Sequence, residues 1–188
     1  MNKRNLLALA AAAVLGAACS TTGTGASADP AARRASIDAA VDAALTKLYA
    51  QAPGSRELVA RSRGVLVFPS VVSAGFVIGG SHGDGALRVA GHSEGYYSTT
   101  AAAVGLIAGA DSRAVYVLFM NQESFDKFRL SRGWTAGVDA SVTLLKVGAD
   151  AGVDTQTGQQ PVVGYVLSNA GLMANLSIDG TKVSRLDI

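Results

Sequence analysis

The chain has 188 residues, 49% hydrophobic and 16% charged, the balance of a globular domain and not of a disordered or fibrous chain. Its net charge of +2 is carried by Lys3 and Arg4: without them, the sixteen basic residues fall to fourteen and equal the fourteen acidic ones. That neutrality excludes recruitment of nucleic acid by bulk charge, and a single cysteine excludes a disulfide framework.

Lys3 and Arg4 precede an apolar run, Leu6 to Ala18, of about 13 residues, too short for a bilayer span of about 20. Residues 1–18 are therefore expected to be a signal peptide. Cys19 follows Leu15-Gly16-Ala17-Ala18, which resembles a bacterial lipobox, in which cleavage leaves an N-terminal cysteine to be lipidated. The leucine stands four residues before the cysteine where the pattern prefers three, and the alternative is an ordinary signal peptide followed by a free thiol. Lipidation gives the lone cysteine a role that no disulfide partner supplies. Residues 19–28 then comprise the modified cysteine and a small, polar tether, STTGTGASA. Ser20 is not the aspartate that retains lipoproteins at the inner membrane in enteric-type sorting. The expected location is a lipid-anchored one in the cell envelope, at the outer membrane, facing the periplasm or the cell surface.

A single domain is expected over residues 29–188. Asp29-Pro30 is an N-cap followed by proline at the first helical position, and Ile37, Val41, Leu45 and Leu48 share one face of a helix ending near Gln51. Pro53-Gly54 breaks it, and Ser55 is expected to cap a short helix through Ser62 with Leu58 and Val59 inward. Val65 to Phe68 reads as a strand buried on both faces and stopped by Pro69, with a second apolar strand from Gly75 to Gly80. Gly79, Gly80, Gly83 and Gly85 are expected to form a structural glycine turn. A weakly alternating strand at Gly85 to Ala90 and a polar one at Glu94 to Thr100 follow, with a small apolar run from Ala101 to Ala108 and a central strand at Ala114 to Met120. Asn121 caps a short helix with Phe125 and Phe128 inward. Val138, Ala140, Val142 and Leu144 alternate with polar residues, predicting a strand with one wet face, and Pro161 to Leu167 predicts another. Leu172 to Ile178 alternates again, and Asp179-Gly180 is a hairpin signal before a last strand at Lys182 to Leu186. The fold class is α+β: N-terminal helices, then a mostly antiparallel sheet, open or barrel-like, with one short inserted helix.

Chemistry-bearing motifs are sparse. Gly79-Gly80-Ser81-His82-Gly83 fits the G-x-S-x-G pattern formally, but that elbow needs a strand turning into a helix, and here a strand follows. Ser81, His82 and Asp84 are too close in sequence for a catalytic relay. His82 and His92 are the only histidines, and Asp150 and Asp154, near Gly148 and Gly152, fit no EF-hand spacing. No enzyme activity, metal or cofactor is expected. Basic clustering is the better signal. Between Arg33 and Arg63, six basic residues (Arg33, Arg34, Lys47, Arg56, Arg61, Arg63) stand against Asp38, Asp42 and Glu57, and Lys127, Arg129 and Arg132 form a second cluster. These cations are candidates for binding anionic phospholipid headgroups, against the plainer reading of a solvated helix surface.

Six pieces in order carry a resemblance: ALTKLY (Ala44 to Tyr49), GVLVFP (Gly64 to Pro69), AGFVIGGSHGDG (Ala74 to Gly85), AGADSRAVYVLFMNQESFDKF (Ala108 to Phe128), GVDASV (Gly137 to Val142) and NAGLMANLSIDG (Asn169 to Gly180). Together they resemble the SYLF domain family over Ala35 to Asp187, in its branch of exported bacterial lipoproteins. YYSTT at Tyr96 to Thr100 stands where many relatives have Trp-Ser-x-Pro, so no role of that tryptophan carries over. Eukaryotic members are associated with phosphoinositide-rich membranes and actin filaments. The resemblance implies a phospholipid-binding, non-enzymatic domain; actin is not an expected partner in a bacterial envelope, and a structural or protein-binding envelope lipoprotein is the alternative.

Overall fold

The computed structural model describes residues 29–75, 78–104, 109–145, 159–168, 171–172 and 177–188. The expected signal peptide, Cys19, the tether, and Asp150 and Asp154 lie outside these residues. Helix α1 (Pro30–Gln51) begins as its sequence dictates: Asp29 accepts a hydrogen bond from the Ala31 N–H at 3.1 Å, and Pro30 occupies the first turn. It buries Ile37, Val41, Ala44 and Leu48 as one stripe. Gly54, at φ +79°, redirects the chain into α2 (Ser55–Arg61), which buries Leu58; Gly54 and not Ser55 is its N-cap, and the Ser55 hydroxyl donates instead to the Leu48 carbonyl at 3.4 Å.

The strands are β1 (Gly64–Gly75), β2 (Ile78–Val89), β3 (His92–Val104), β4 (Gly109–Phe119), β5 (Gly133–Thr135), β6 (Thr143–Leu144), β7 (Val162–Ser168), β8 (Gly171–Leu172) and β9 (Lys182–Arg185). They form one curled sheet in the order β5-β9-β3-β2-β1-β4-β7-β6, with β8 beside β7. Among the described strands only the β6–β7 pair is parallel. The order β4-β1-β2-β3 is a Greek key. Helix α3 (Gln122–Leu130) is capped by Asn121, whose side chain accepts from the Ser124 N–H at 2.9 Å.

Two apolar layers explain why β1, β4 and β7 read as continuous hydrophobic runs. Val65, Val67, Tyr116, Leu118 and Val163 pack under α1 and α2; Leu66, Phe68, Val117, Phe119 and Val166 face α3 and β5 on the other side. The second layer holds an aromatic cluster in which Phe128 stacks on Phe119 at 4.8 Å and meets Tyr97 and Trp134. The α+β expectation holds.

Three local expectations are corrected. Pro69 does not stop β1. The strand runs through it, with one extra residue between Phe68 and Val71 relative to β4 and a matching irregularity relative to β2, so the missing N–H falls in a bulge where the ladder is interrupted anyway. The glycines Gly79, Gly80, Gly83 and Gly85 do not form a turn; they lie inside β2, paired with β1 on one side and β3 on the other. None has positive φ. The need is for space: a Cβ on Gly83 would sit 2.5 Å from the Ser70 carbonyl oxygen, and one on Gly85 would sit 2.1 Å from that of Val67. Both oxygens flank the bulge, so the glycines accommodate the bent partner strand.

The alternation at Val138 to Leu144 makes a strand only at its end, where Thr143–Leu144 forms β6 beside β7. Gly137 at φ +81° and the Asp139 carboxylate, which accepts from the Thr135 N–H, close a turn over 137–139. Ala140, Val142 and Leu144 still reach the core, whereas Val138 is exposed. Asp179-Gly180 does form a turn, and among the described residues β9 pairs with β3 and β5.

Candidate functional site

Helix α1 is fastened to the β2–β3 hairpin by polar side chains. Arg33 donates to Asp84 at 2.8 Å; Asp38 accepts from Ser93 at 2.6 Å and from the Tyr96 hydroxyl at 2.9 Å; Arg88 donates to Asp42 at 2.5 Å and to the Asp38 carbonyl at 3.2 Å. The Arg88 side chain is only 12% exposed, whereas its partner Asp42 is 68% exposed, so the clasp joins a largely buried guanidinium to a wet carboxylate. Further along, the buried Tyr116 hydroxyl donates to the Ala44 carbonyl at 2.8 Å, and burial pushes its pKa up to about 12.

The clasp changes the electrostatics of this side. Asp38, Asp42 and Asp84 are consumed by Arg33 and Arg88. Among the described residues no carboxylate lies within ion-pair distance of Arg34, Lys47, Arg56, Arg61 or Arg63. Arg56 lies over the Tyr49 ring at 4.3 Å, an arrangement that holds the guanidinium without neutralising it.

Arg63 and Tyr49 line a cleft of about 500 Å³ between α1, α2 and the end of the β1–β2 pair. Leu45, Val59 and Val89 supply apolar wall, Asp42 and Arg88 the polar side, and Ala90-Gly91 the lip. Ala90 is at φ +48°, a left-handed conformation that costs a non-glycine residue about 1 kcal/mol and is imposed here by the tight hairpin. Lys47 is not part of this surface. Positions 42, 45 and 49 flank the buried stripe of α1 on the cleft side, and Lys47 falls on the other flank beside Pro69 and Arg113.

The second cluster lies on the opposite face of the sheet, with α3. Lys127 pairs with Glu123 at 2.8 Å, which holds that carboxyl below its ordinary range. Arg129 reaches Glu94 at 3.3 Å and lies over the Phe125 ring at 5.2 Å; Arg132 has no carboxylate partner among the described residues. The two clusters therefore do not share a face of the sheet. They share an end of it: Arg63 precedes the first residue of β1, and Glu94, which Arg129 meets, lies just past the β2–β3 turn.

The strand geometry of β2 also disposes of the G-x-S-x-G reading. Successive residues point to opposite faces, so Ser81 turns toward the α3 side, beside Phe68 and Thr99, while His82 and Asp84 lie on the other side, 3.6 Å apart. Among the described residues no three His, Cys, Asp or Glu side chains are grouped to hold a metal ion. No described helix is long and apolar enough to cross a membrane.

Sequence reasoning listed the cations but missed what sorts them. Asp38 and Asp42 stand one helical turn apart, a visible signal for one polar flank of α1; their partners Arg88, Ser93 and Tyr96 come from a hairpin some fifty residues on and could not be paired by spacing. Leu130, 85% exposed at the end of α3, was also missed. It lies two residues, or about 200°, from the inward Phe128, so the helical period alone would have put it outside.

Residues 100–187 match the family model Ysc84, described as Las17-binding protein actin regulator. This is the SYLF family that the sequence pieces resemble, matched over these residues. The matched SYLF span runs from the latter part of β3 through β9 and contains three of the six resembling pieces, from the one beginning at Ala108 onward. ALTKLY, GVLVFP and AGFVIGGSHGDG precede it. The two tyrosines just before it have structural roles here: Tyr96 binds Asp38 and Tyr97 packs on Phe128. Comparison with curated proteins finds no match.

Proposed function

We propose that this SYLF chain is a membrane-tethered, non-enzymatic module that binds anionic phospholipid headgroups. The observation that carries the reading is the sorting of charge by the clasp. Its aspartates are spent on Arg33 and Arg88, leaving Arg56, Arg61 and Arg63 without carboxylate partners around one cleft rim and helix. Each such cation near an anionic surface contributes about 1 kcal/mol, and three acting together orient a domain that a lipidated Cys19 already holds at the bilayer. The anchor places the domain in the cell envelope, at the outer membrane. The test is sedimentation of the chain from residue 19, with Cys19→Ser, alongside vesicles. Binding to phosphatidylglycerol that falls with added salt, and little binding to phosphatidylcholine, is the expected result; equal binding to both removes the reading.

The family description favours one second reading, since it names a protein ligand and not a lipid. On that reading the chain is a protein-binding envelope lipoprotein. It would give no lipid preference in the same assay and would be crosslinked in the envelope to a partner protein.

A further inference from the structure

The two basic clusters lie on opposite faces of the sheet, yet they are back to back. In β2, Leu87 faces the hollow formed with Glu94, Arg129 and Leu130, and the next residue, Arg88, faces the cleft that Arg63 lines. Consecutive strand residues point in opposite directions, so only the thickness of one strand and its side chains, roughly 10 Å, separates the two surfaces. The β2–β3 turn, Ala90-Gly91, lies at the edge between them, and both of its residues are exposed. Arg129 binds the α3 terminus to this edge through Glu94.

At that terminus the exposure of Leu130 is unusual. Helix α3 fills its inner face with Phe125 and Phe128 and ends on a leucine that is 85% exposed, beside a hollow whose charged lining is Glu94, Asp126, Arg129 and Arg185, with Arg132 two residues further on. The other exposed large apolar side chains, Val72 and Val138, have no such surround in sequence. An exposed aliphatic side chain flanked in sequence by Arg129 and Arg132 matches the layering of a bilayer surface, where phosphates lie outside and hydrocarbon begins a few ångströms deeper.

We propose that this end of the sheet, with Arg61 and Arg63 on one side of the β2–β3 turn and Arg129, Leu130 and Arg132 on the other, is a single membrane-contact surface on which Leu130 enters the bilayer. The inference rests on the phospholipid reading and adds an orientation to it: the sheet end meets the headgroups, and the opposite end of β1, with Val72, points away. Val72 lies eight residues from the start of β1, roughly 25 Å along the strand, beyond the reach of the interface.

The experiment uses the chain from residue 19 with Cys19→Ser and a single introduced cysteine, Leu130→Cys or Val72→Cys, carrying an environment-sensitive fluorophore. Vesicles are mixed phosphatidylglycerol and phosphatidylcholine. A blue shift at position 130 and none at 72 is expected, and Leu130→Ser should weaken vesicle binding about tenfold or more, as loss of one inserted leucine implies. If the chain sediments with vesicles while the label at 130 does not move, or moves no more than that at 72, this orientation is wrong and the phospholipid reading survives. Absence of sedimentation removes both. A shift at 130 that appears without vesicles and grows with protein concentration assigns the patch to a second copy of the chain and overturns the proposal.

Discussion

Gly85→Ala is the most exacting test of the sheet. The added Cβ would lie 2.1 Å from the Val67 carbonyl oxygen and 2.7 Å from Phe68 Cδ1, and neither can retreat. Val67 is locked beside the bulge, and Phe68 is 1% exposed in the aromatic layer. Overpacking costs about 1–3 kcal/mol where side chains can adjust; against a fixed backbone oxygen the cost should be about 3 kcal/mol or more, which for a chain of this size lowers Tm by roughly 10 °C. Gly80→Ala is the internal control. It lies in the same strand, with Ala101 O at 3.7 Å the nearest atom to the new Cβ, so it should be neutral or stabilise by a few tenths of a kcal/mol, about the gain from a stiffer unfolded chain. Urea unfolding of the two variants beside the parent decides the matter. Equal destabilisation, or a greater loss at Gly80, would mean that the glycines serve a turn after all and that the bulge packing is misdescribed.

Other outcomes follow from the clasp and the core. Arg88→Met should cost about 2 kcal/mol in urea unfolding, less than for a fully buried pair because Asp42 is 68% exposed and rehydrates. Asp38→Ala strands the Ser93 and Tyr96 hydroxyls and should cost about 1–2 kcal/mol, with the loss reduced but not abolished when Tyr96→Phe is already present, since Ser93 still loses its acceptor, as a double-mutant cycle will reveal. Burial raises both Tyr116 and Tyr165 to about 12. The folded chain therefore holds these protons more tightly than the unfolded one: stability is intact below about pH 10 and falls above it by about 1.4 kcal/mol per pH unit for each tyrosine. Urea unfolding across the alkaline range tests this, and Tyr116→Phe should make the decline shallower; an unchanged slope would contradict it.

What was legible in the sequence was local and periodic. The caps at Asp29 and Asn121, the stripe Ile37-Val41-Leu45-Leu48, in which Leu45 is only partly buried and Ala44 joins the core, and the doubly buried runs of β1 and β4 each follow from side-chain spacing. What failed required knowledge of a partner strand. A glycine run in isolation signals positive φ, whereas here Gly83 and Gly85 answer a bulge some fifteen residues earlier; Pro69 signals a strand end until the bulge gives its missing N–H a place. Val138 to Leu144 alternates correctly, yet Gly137 and Asp139 turn the chain, and only Thr143-Leu144 joins a ladder, with β7. The candidate cations were named from clustering alone. Which of them are neutralised, and that the two groups meet at one sheet end, depended on Asp84, Arg88 and Glu94 in the hairpin between them.

The account's central claim is that unpaired cations around α2 bring the domain to anionic lipid. Reversing Arg56, Arg61 and Arg63 to glutamate together, in the chain with Cys19→Ser, tests it most directly by vesicle sedimentation. Replacing three favourable contacts of about 1 kcal/mol each by repulsion should reduce phosphatidylglycerol binding by at least about a hundredfold, while the urea midpoint stays near that of the parent. Undiminished binding by a folded triple variant would contradict the claim.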